Sequence, residues 1–281
     1  MSKLRIITDS ASDIMEPDRK DLTVLPMTVR FGETEYLDGV TINHQEFYEK
    51  LIESDELPVT SLISPGDFEA AYQKAAEAGE QVLVVTLSGK LSGTYQSACI
   101  AAADFAESVR VVDSMNATIG EQILVLYALQ LSDQGVELDE IVRTLEQAKK
   151  KIHVLGLLDT LEYLKKGGRI SKTAAFLGGA LSVKPVVTVA EGEVVMLGKA
   201  RGSRNGNNFL IHEIEKAGGV DFTRPYRLGY TGLDDTLLQK YIHDSERLWK
   251  ENADSLPVSS IGATIGTHVG PGAIAVAFFA S

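Results

Sequence analysis

The chain carries a single cysteine in 281 residues, which excludes a disulfide framework and any zinc site built on cysteine ligands. Cys99 sits among alanines and a serine and reads as a small core residue. Long apolar runs are also missing. The longest, such as Ala273 to Ala280, fall far short of the ~18 residues a membrane span needs, so no integral membrane association is expected. Basic residues are few beside acidic ones, 27 Lys plus Arg against 39 Asp plus Glu, and the net charge of -12 argues against general nucleic-acid binding. The five histidines, His44, His153, His212, His243 and His268, show no i, i+4 pairing and no flanking cysteine, so no metal is expected. A Gly-x-Gly-x-x-Gly after a strand is absent, and Gly167 to Thr173 lacks the Gly-Lys-Ser/Thr of a P-loop because Ser171 precedes Lys172-Thr173. No nucleotide cofactor is therefore expected. Met1 to Arg5 leads straight into an apolar run without a signal-peptide pattern, which points to the cytoplasm.

What is present suits a soluble globular chain. Hydrophobic residues make up 44% and charged residues 23%, enough to fill two cores at the usual ~150 residues per domain. In the first half, strand-like runs at Leu4 to Ile7, Val24 to Val29, Val82 to Leu87 and Val109 to Val112 alternate with helical patterns. Those helices are expected at His44 to Ser54, Pro65 to Ala78, Gly93 to Glu107, Thr118 to Gln134 and Leu138 to Lys151. Such alternation predicts an α/β domain with a mostly parallel, doubly wound sheet. In the second half, Val183 to Ala190 and Glu193 to Lys199 flank Glu191-Gly192 as a hairpin. Arg227 to Tyr230, Ile261 to Ile265 and Ala273 to Phe279 supply further strands around helices near Asn207 to Ala217 and Asp234 to Trp249. This pattern predicts a smaller C-terminal α+β domain, with the division placed at residues 1–155 and 156–281.

Three apolar runs end in small polar groups: Leu4 to Ile7 in Thr8-Asp9-Ser10, Val82 to Leu87 in Ser88 to Thr94, and Val109 to Val112 in Asp113-Ser114. Each alone reads as a helix cap. In a parallel sheet, however, strand ends of one polarity lie together and ligands bind in the crevice outside them, so the three together predict a pocket. Thr86 to Thr94, with its hydroxyls and glycines at a strand-to-helix turn, suits an anion.

Further candidates lie beyond residue 150. Asp159 and Glu162 stand at capping-box spacing, and Gly167-Gly168 marks a helix stop, which leaves Arg169 on a tight turn without a capping role. Arg201 follows a strand and precedes a helix, and His268 falls in the glycine-rich Gly266 to Gly272 between two apolar runs read as strands. Ser92, His268 and an aspartate such as Asp9 also supply the residue types of a hydrolytic triad, although Gly89 to Gly93 departs by one residue from the Gly-x-Ser-x-Gly elbow. A stand-alone Ser/His hydrolase acting on a lipid-like ester is the alternative reading.

Taken in order, Ile7 to Asp13, Thr60-Ser61 followed by Ser64-Pro65, Leu91 to Ala98, Leu161 to Ile170, and Ile265 to Ala273 resemble the DegV family of bacterial lipid-binding proteins, which includes the fatty-acid-binding subunits of fatty acid kinase. The resemblance spans nearly the whole chain. It implies a two-domain protein that holds one long-chain fatty acid, its carboxylate near the domain junction and bound by Thr60 and Ser92, with Arg201 and His268 nearby. It implies no catalysis by this chain and no cofactor; a separate ATP-dependent kinase subunit makes the acyl phosphate, and Arg169 lies in the segment that meets it. Two departures from the family pattern are visible. Leu62-Ile63 replaces a common Gln-Pro, and Asn205 to Asn208 lacks lysines often found after the Arg201 position.

Overall fold

The computed structural model describes residues 3–14, 19–170, 183–249 and 255–281. Ser171, Lys172 and Thr173, which the P-loop comparison touched, lie outside these residues.

Four strands form a wholly parallel sheet in the order β2-β1-β6-β7: β1 (Lys3–Asp9), β2 (Leu22–Leu25), β6 (Glu80–Thr86) and β7 (Val109–Asp113). Helices α2 (Pro65–Glu77) and α3 (Thr94–Ala102) pack together against it, and α4 (Ile119–Asp133) and α5 (Leu138–Ala148) form a second pair. In α5, Leu138, Ile141, Leu145 and Ala148 are buried, a one-sided stripe that presses a single face on the sheet. In α4 the apolar residues run all round, from Ile119 to Leu131. A helix of that kind needs cover on every side, and α4 finds it by contacting both β1 and β6 of this sheet and strands of the second sheet.

The second sheet has six strands in the order β10-β9-β8-β13-β11-β12. They are β8 (Ile152–Leu157), β9 (Val183–Ala190), β10 (Glu193–Arg201), β11 (Arg227–Tyr230), β12 (Val258–Ser260) and β13 (Ile274–Phe279). All neighbours are antiparallel except β11 and β12. Side chains alternate between faces along a strand. Leu155, Leu157, Val186, Ile274, Val276 and Phe278 accordingly bury one face, against α7 (Gly202–Lys216), α8 (Thr236–Asp244) and α9 (Glu246–Trp249). The other face turns toward the first half of the chain. The division expected at 155/156 falls inside β8, whose pairing with β13 runs from Ile152 to Leu157.

Two segments that look like strands in the sequence are not single strands in the fold. Val24 to Val29 is not one strand: Pro26 lacks the N–H that a ladder needs, so β2 stops at Leu25, and the chain turns into a separate sheet in the order β4-β3-β5. Its strands are β3 (Thr28–Phe31), β4 (Thr34–Leu37) and β5 (Val59–Ser61), packed on α1 (His44–Glu53). Ile261 to Ile265 is not a strand either, because α10 (Ala263–Val269) begins there, so His268 sits on a helix's last turn rather than in a loop between strands. The short helix α6 (Glu162–Lys166) packs beside it. No helix among the described residues is long and apolar enough to cross a membrane.

Candidate functional site

Between the parallel sheet and the free face of the six-stranded sheet lies a cavity of about 420 Å³, within the usual size of a small-molecule site. Its walls are predominantly aliphatic. Val154, Gly156 and Leu158 come from β8 and the residue after it, Val187 and Val189 from β9, and Ala273 and Ala275 from the start of β13. Val187, Gly156 and Ala275 stand in one register row across three strands, and the small residues Gly156 and Ala275 leave a trough beside Val187 on this face of the sheet. The opposite wall is Met27, Leu87, Ala117, Thr118 and the α10 face carrying Thr264, Ile265, His268 and Val269.

One end of the cavity is polar. Thr60, in edge strand β5, places its Oγ1 2.9 Å from His268 Nε2. Burial, and then the nearby Arg169 guanidinium, push the His268 pKa down to about 4, so the imidazole is neutral at physiological pH. Its Nδ1 is buried without a hydrogen-bond partner. A neutral ring carries one N–H, and with that hydrogen on Nε2 the ring donates to Thr60 Oγ1, leaving the threonine hydroxyl to donate onward into the cavity. Ser92 lies in the loop between β6 and α3, with its Oγ 3.0 Å from Thr94 Oγ1 and accepting from the Thr94 N–H at 3.3 Å. Its hydroxyl therefore touches the first turn of α3 and also lines the cavity.

Arg169, which the family resemblance puts in the segment that meets a kinase, also lines the cavity. The cause is the end of α6: the Gly168 N–H donates to Lys165 O and the Arg169 N–H to Leu164 O, the paired bonds of a Schellman turn, with Gly168 at φ 67. That turn folds Arg169 back so that Nη1 donates to Gly167 O at 2.6 Å and Nε to Leu91 O at 3.3 Å. The guanidinium thus ties the loop bearing Ser92 to the helix beside His268. Among the described lining residues, Arg169 and His268 are the only ionisable ones, and only Arg169 is charged at neutral pH. The rim is open to solvent at Ser61, Leu62 and Gly93.

Arg201 is not brought to this site. Alternation along β10 buries Ala200 and turns Arg201 outward, and it is absent from the described lining. The triad of the hydrolytic reading is not assembled. His268 pairs with Thr60 rather than Ser92, and Asp9 is sealed away, accepting from the Leu87 and Ala11 N–H groups.

The polar strand ends converge as expected, and the end after β6 lines the cavity through Leu91, Ser92 and Gly93, while the polar groups nearest each strand brace loops. Asp9 holds Leu87, Asp113 Oδ2 accepts from the Gly89 N–H at 3.2 Å, and the Ser88 N–H donates to Asn116 O. Thr118, Thr188 and Thr264, hydroxyl residues in the wall away from the rim, are not singled out by any motif of the sequence. Thr118 has φ 54, unusual for a β-branched residue, and nothing in the local sequence announces it.

Comparison with known proteins bears on the family and the fold. Residues 3–281 match the family described as "Uncharacterised protein, DegV family". A DegV domain-containing protein of Caldanaerobacter subterraneus is 34% identical over 284 residues, covering 99% of both chains. Among solved structures, a fatty-acid-binding DegV family protein from Thermus thermophilus superposes with a TM-score of 0.87 at 33% identity, covering 99% of this chain and 100% of that one. The Streptococcus pneumoniae fatty acid kinase B3 protein, loaded with linoleic acid, shares the fold with a TM-score of 0.86 at 23% identity, covering 99% and 100%.

Proposed function

This chain belongs to the DegV family, and from that premise we propose that it is a fatty-acid carrier: it binds one long-chain fatty acid and itself catalyses nothing. The observation that carries the reading is the cavity's polarity, aliphatic along its length and polar at the rim end around Thr60, Ser92, His268 and Arg169. An acyl tail fits the first and a carboxylate the second. Burying each methylene is worth about 0.8 kcal/mol, so ten contribute roughly 8 kcal/mol before ordering costs. A carboxylate enters such a site only when paired. Hydrogen bonds from Thr60 and Ser92, with the Arg169 charge beside them, supply about 1.5–3 kcal/mol each. The tail sets affinity and the head group sets pose.

The head group then lies behind Ser61, Leu62 and Gly93, at the solvent-exposed rim rather than in the interior. A carrier that presents its carboxylate outward suits a partner that modifies it, and we assign that partner as an ATP-dependent kinase subunit forming the acyl phosphate in the cytoplasm. The sequence resemblance supports the assignment.

Native purification followed by organic extraction and mass spectrometry tests the core of the reading. The expected result is one equivalent of a long-chain fatty acid per chain. Absence of acyl species together with failure to take up added fatty acid overturns it.

A further inference from the structure

The hairpin of β9 and β10 covers one flank of the cavity, with Val187 and Val189 of β9 and Val194 of β10 in its wall. Its outer part has few ties. β9 is laddered to β8 only from Val186 to Thr188, and β10 pairs with β9 alone. Beyond the Thr188 hydroxyl, which donates to Val154 O at 2.7 Å, no third strand supports the hairpin on its way to the turn at Glu191-Gly192. Val189 packs on the core of the parallel sheet, and at the turn the Ser88 hydroxyl donates to Gly192 O at 2.7 Å. Among the described residues, this is the only hydrogen bond from β9, β10 or their turn to residues 3–149. Both partners are buried. A Cβ on residue 192 would stand 2.5 Å from Ser88 Oγ, so the close approach requires glycine there.

Ser88 is also the fixed point of the loop that carries Ser92. Its N–H donates to Asn116 O at 2.7 Å, its carbonyl accepts from the Leu91 and Ser92 N–H groups at 3.0 and 3.2 Å, and its Oγ accepts from the Lys90 N–H at 3.2 Å. Three residues on, Leu91 O accepts from Arg169 Nε. The loop is thus closed from two sides, by the hairpin turn and by the guanidinium. A tail threading through the rim must pass Thr60, Ser92 and Arg169, whose polar groups a methylene chain cannot satisfy. The flank beneath the hairpin is aliphatic. We propose that Ser88 and Gly192 form a latch: the acyl chain enters and leaves as the β9–β10 hairpin parts from the loop between β6 and α3, and their hydrogen bond sets how often that happens. The proposal rests on the fatty-acid reading for its ligand.

Neither Ser88 nor Gly192 is among the described residues lining the cavity. Weakening their bond therefore raises the open fraction of empty and loaded chain alike, so uptake and release both quicken while Kd changes little. Damage to Ser92 as a head-group ligand has a different signature: release quickens, uptake does not, and Kd rises. The geometry also permits a lock. A Cβ on residue 192 stands 3.7 Å from Ser88 Cβ, the spacing of a disulfide.

The test is stopped-flow fluorescence of the delipidated full chain with cis-parinaric acid, uptake being followed on mixing and release by a chase with excess oleic acid. Ser88→Ala is expected to quicken both rates about fivefold, the effect of losing one hydrogen bond, with Kd within about twofold of wild type. The lock is Ser88→Cys with Gly192→Cys in a Cys99→Ala background, oxidised with diamide. Oxidation is expected to slow both rates at least about tenfold below the reduced form, and dithiothreitol is expected to restore them. Residue 192 has φ 80, which disfavours a side chain; should the double variant not fold or not oxidise, Ser88→Ala decides alone. Rates in Ser88→Ala equal to wild type, faster release with unchanged uptake, or an oxidised lock that exchanges as fast as its reduced form overturns the proposal. The last result would send the chain through the rim past Arg169. A wild type that binds no probe overturns the fatty-acid reading itself, and the latch's ligand role with it.

Discussion

Gly167 stands against the His268 ring so closely that a Cβ at residue 167 would overlap Nδ1 and lie 3.0 Å from Cε1 and 3.1 Å from Tyr163 O. The backbone conformation of Gly167 is ordinary, φ -74. The glycine is required by proximity, because α6 and α10 meet where the imidazole turns toward Thr60.

Gly167→Ala is therefore expected to displace the ring and break the Thr60–His268 contact, at an overpacking cost of about 1–3 kcal/mol. Fatty-acid affinity falls with it. The decisive comparison is a double-mutant cycle: in a His268→Ala background, where the ring is gone, adding Gly167→Ala is expected to cost little. Equal losses in both backgrounds would mean that the alanine disturbs α6 itself.

Buried carboxylates also shape stability against pH. Asp9 and Asp13 titrate near 7 and 8 in the folded chain, raised by burial, against ~3.9 when unfolded. Between those values the folded state holds protons that the unfolded state has lost, so stability falls as pH rises through the window, by up to about 1.4 kcal/mol per pH unit for each group. Glu80 acts in the opposite direction: hydrogen bonds from Arg5 and Lys3 hold it at about 2, and its contribution disappears as pH falls from ~4 toward 2. Thermal melts are expected to peak in mildly acid buffer near pH 5 and to decline by pH 8, with a shallower decline in Asp13→Asn. A melting temperature that climbs from pH 5 to 8 would contradict this.

These carboxylates also explain how much of the protein was legible in its sequence. The parallel sheet was legible, because β1, β6 and β7 are apolar runs with polar ends, and so was the hairpin at Glu191-Gly192, whose φ values of 50 and 80 are those of a type I′ turn. The break at Pro26 was there to be read in one residue. The start of α10 was not. Ile261 to Ile265 has the composition of a strand, and it turns helical because Asp13 and Asp38, more than 220 positions away in sequence, take up the N–H groups that a strand ladder would have used. Thr60, Ser92 and His268 were visible as residue types in a recognisable order. The Arg169 and Arg201 side-chain directions depend on a helix stop and on strand alternation, and sequence supplied the positions without the directions.

Arg169 offers the sharpest test of the site, since the family resemblance implies a partner surface for it and the fold puts it on the cavity wall. Arg169→Glu sets a carboxylate where the fatty acid's own carboxylate is proposed to lie and removes the guanidinium's bonds to Leu91 O and Gly167 O. Like charges at such range in a partly buried site repel strongly, so the variant is expected to purify with little or no acyl chain and to bind cis-parinaric acid at least tenfold more weakly. Arg169→Gln, neutral and able to keep one of the two backbone bonds, is expected to fall between that variant and wild type. The ordering separates the two placements. A residue that only meets a kinase leaves lipid content unchanged under both substitutions while acyl-phosphate formation drops. A residue that holds the head group loses lipid in proportion to the charge change, and variant protein reloaded at high fatty-acid concentration regains turnover. Full lipid occupancy in Arg169→Glu with turnover abolished would return Arg169 to the partner surface and leave Thr60, Ser92 and the neutral His268 to hold the carboxylate.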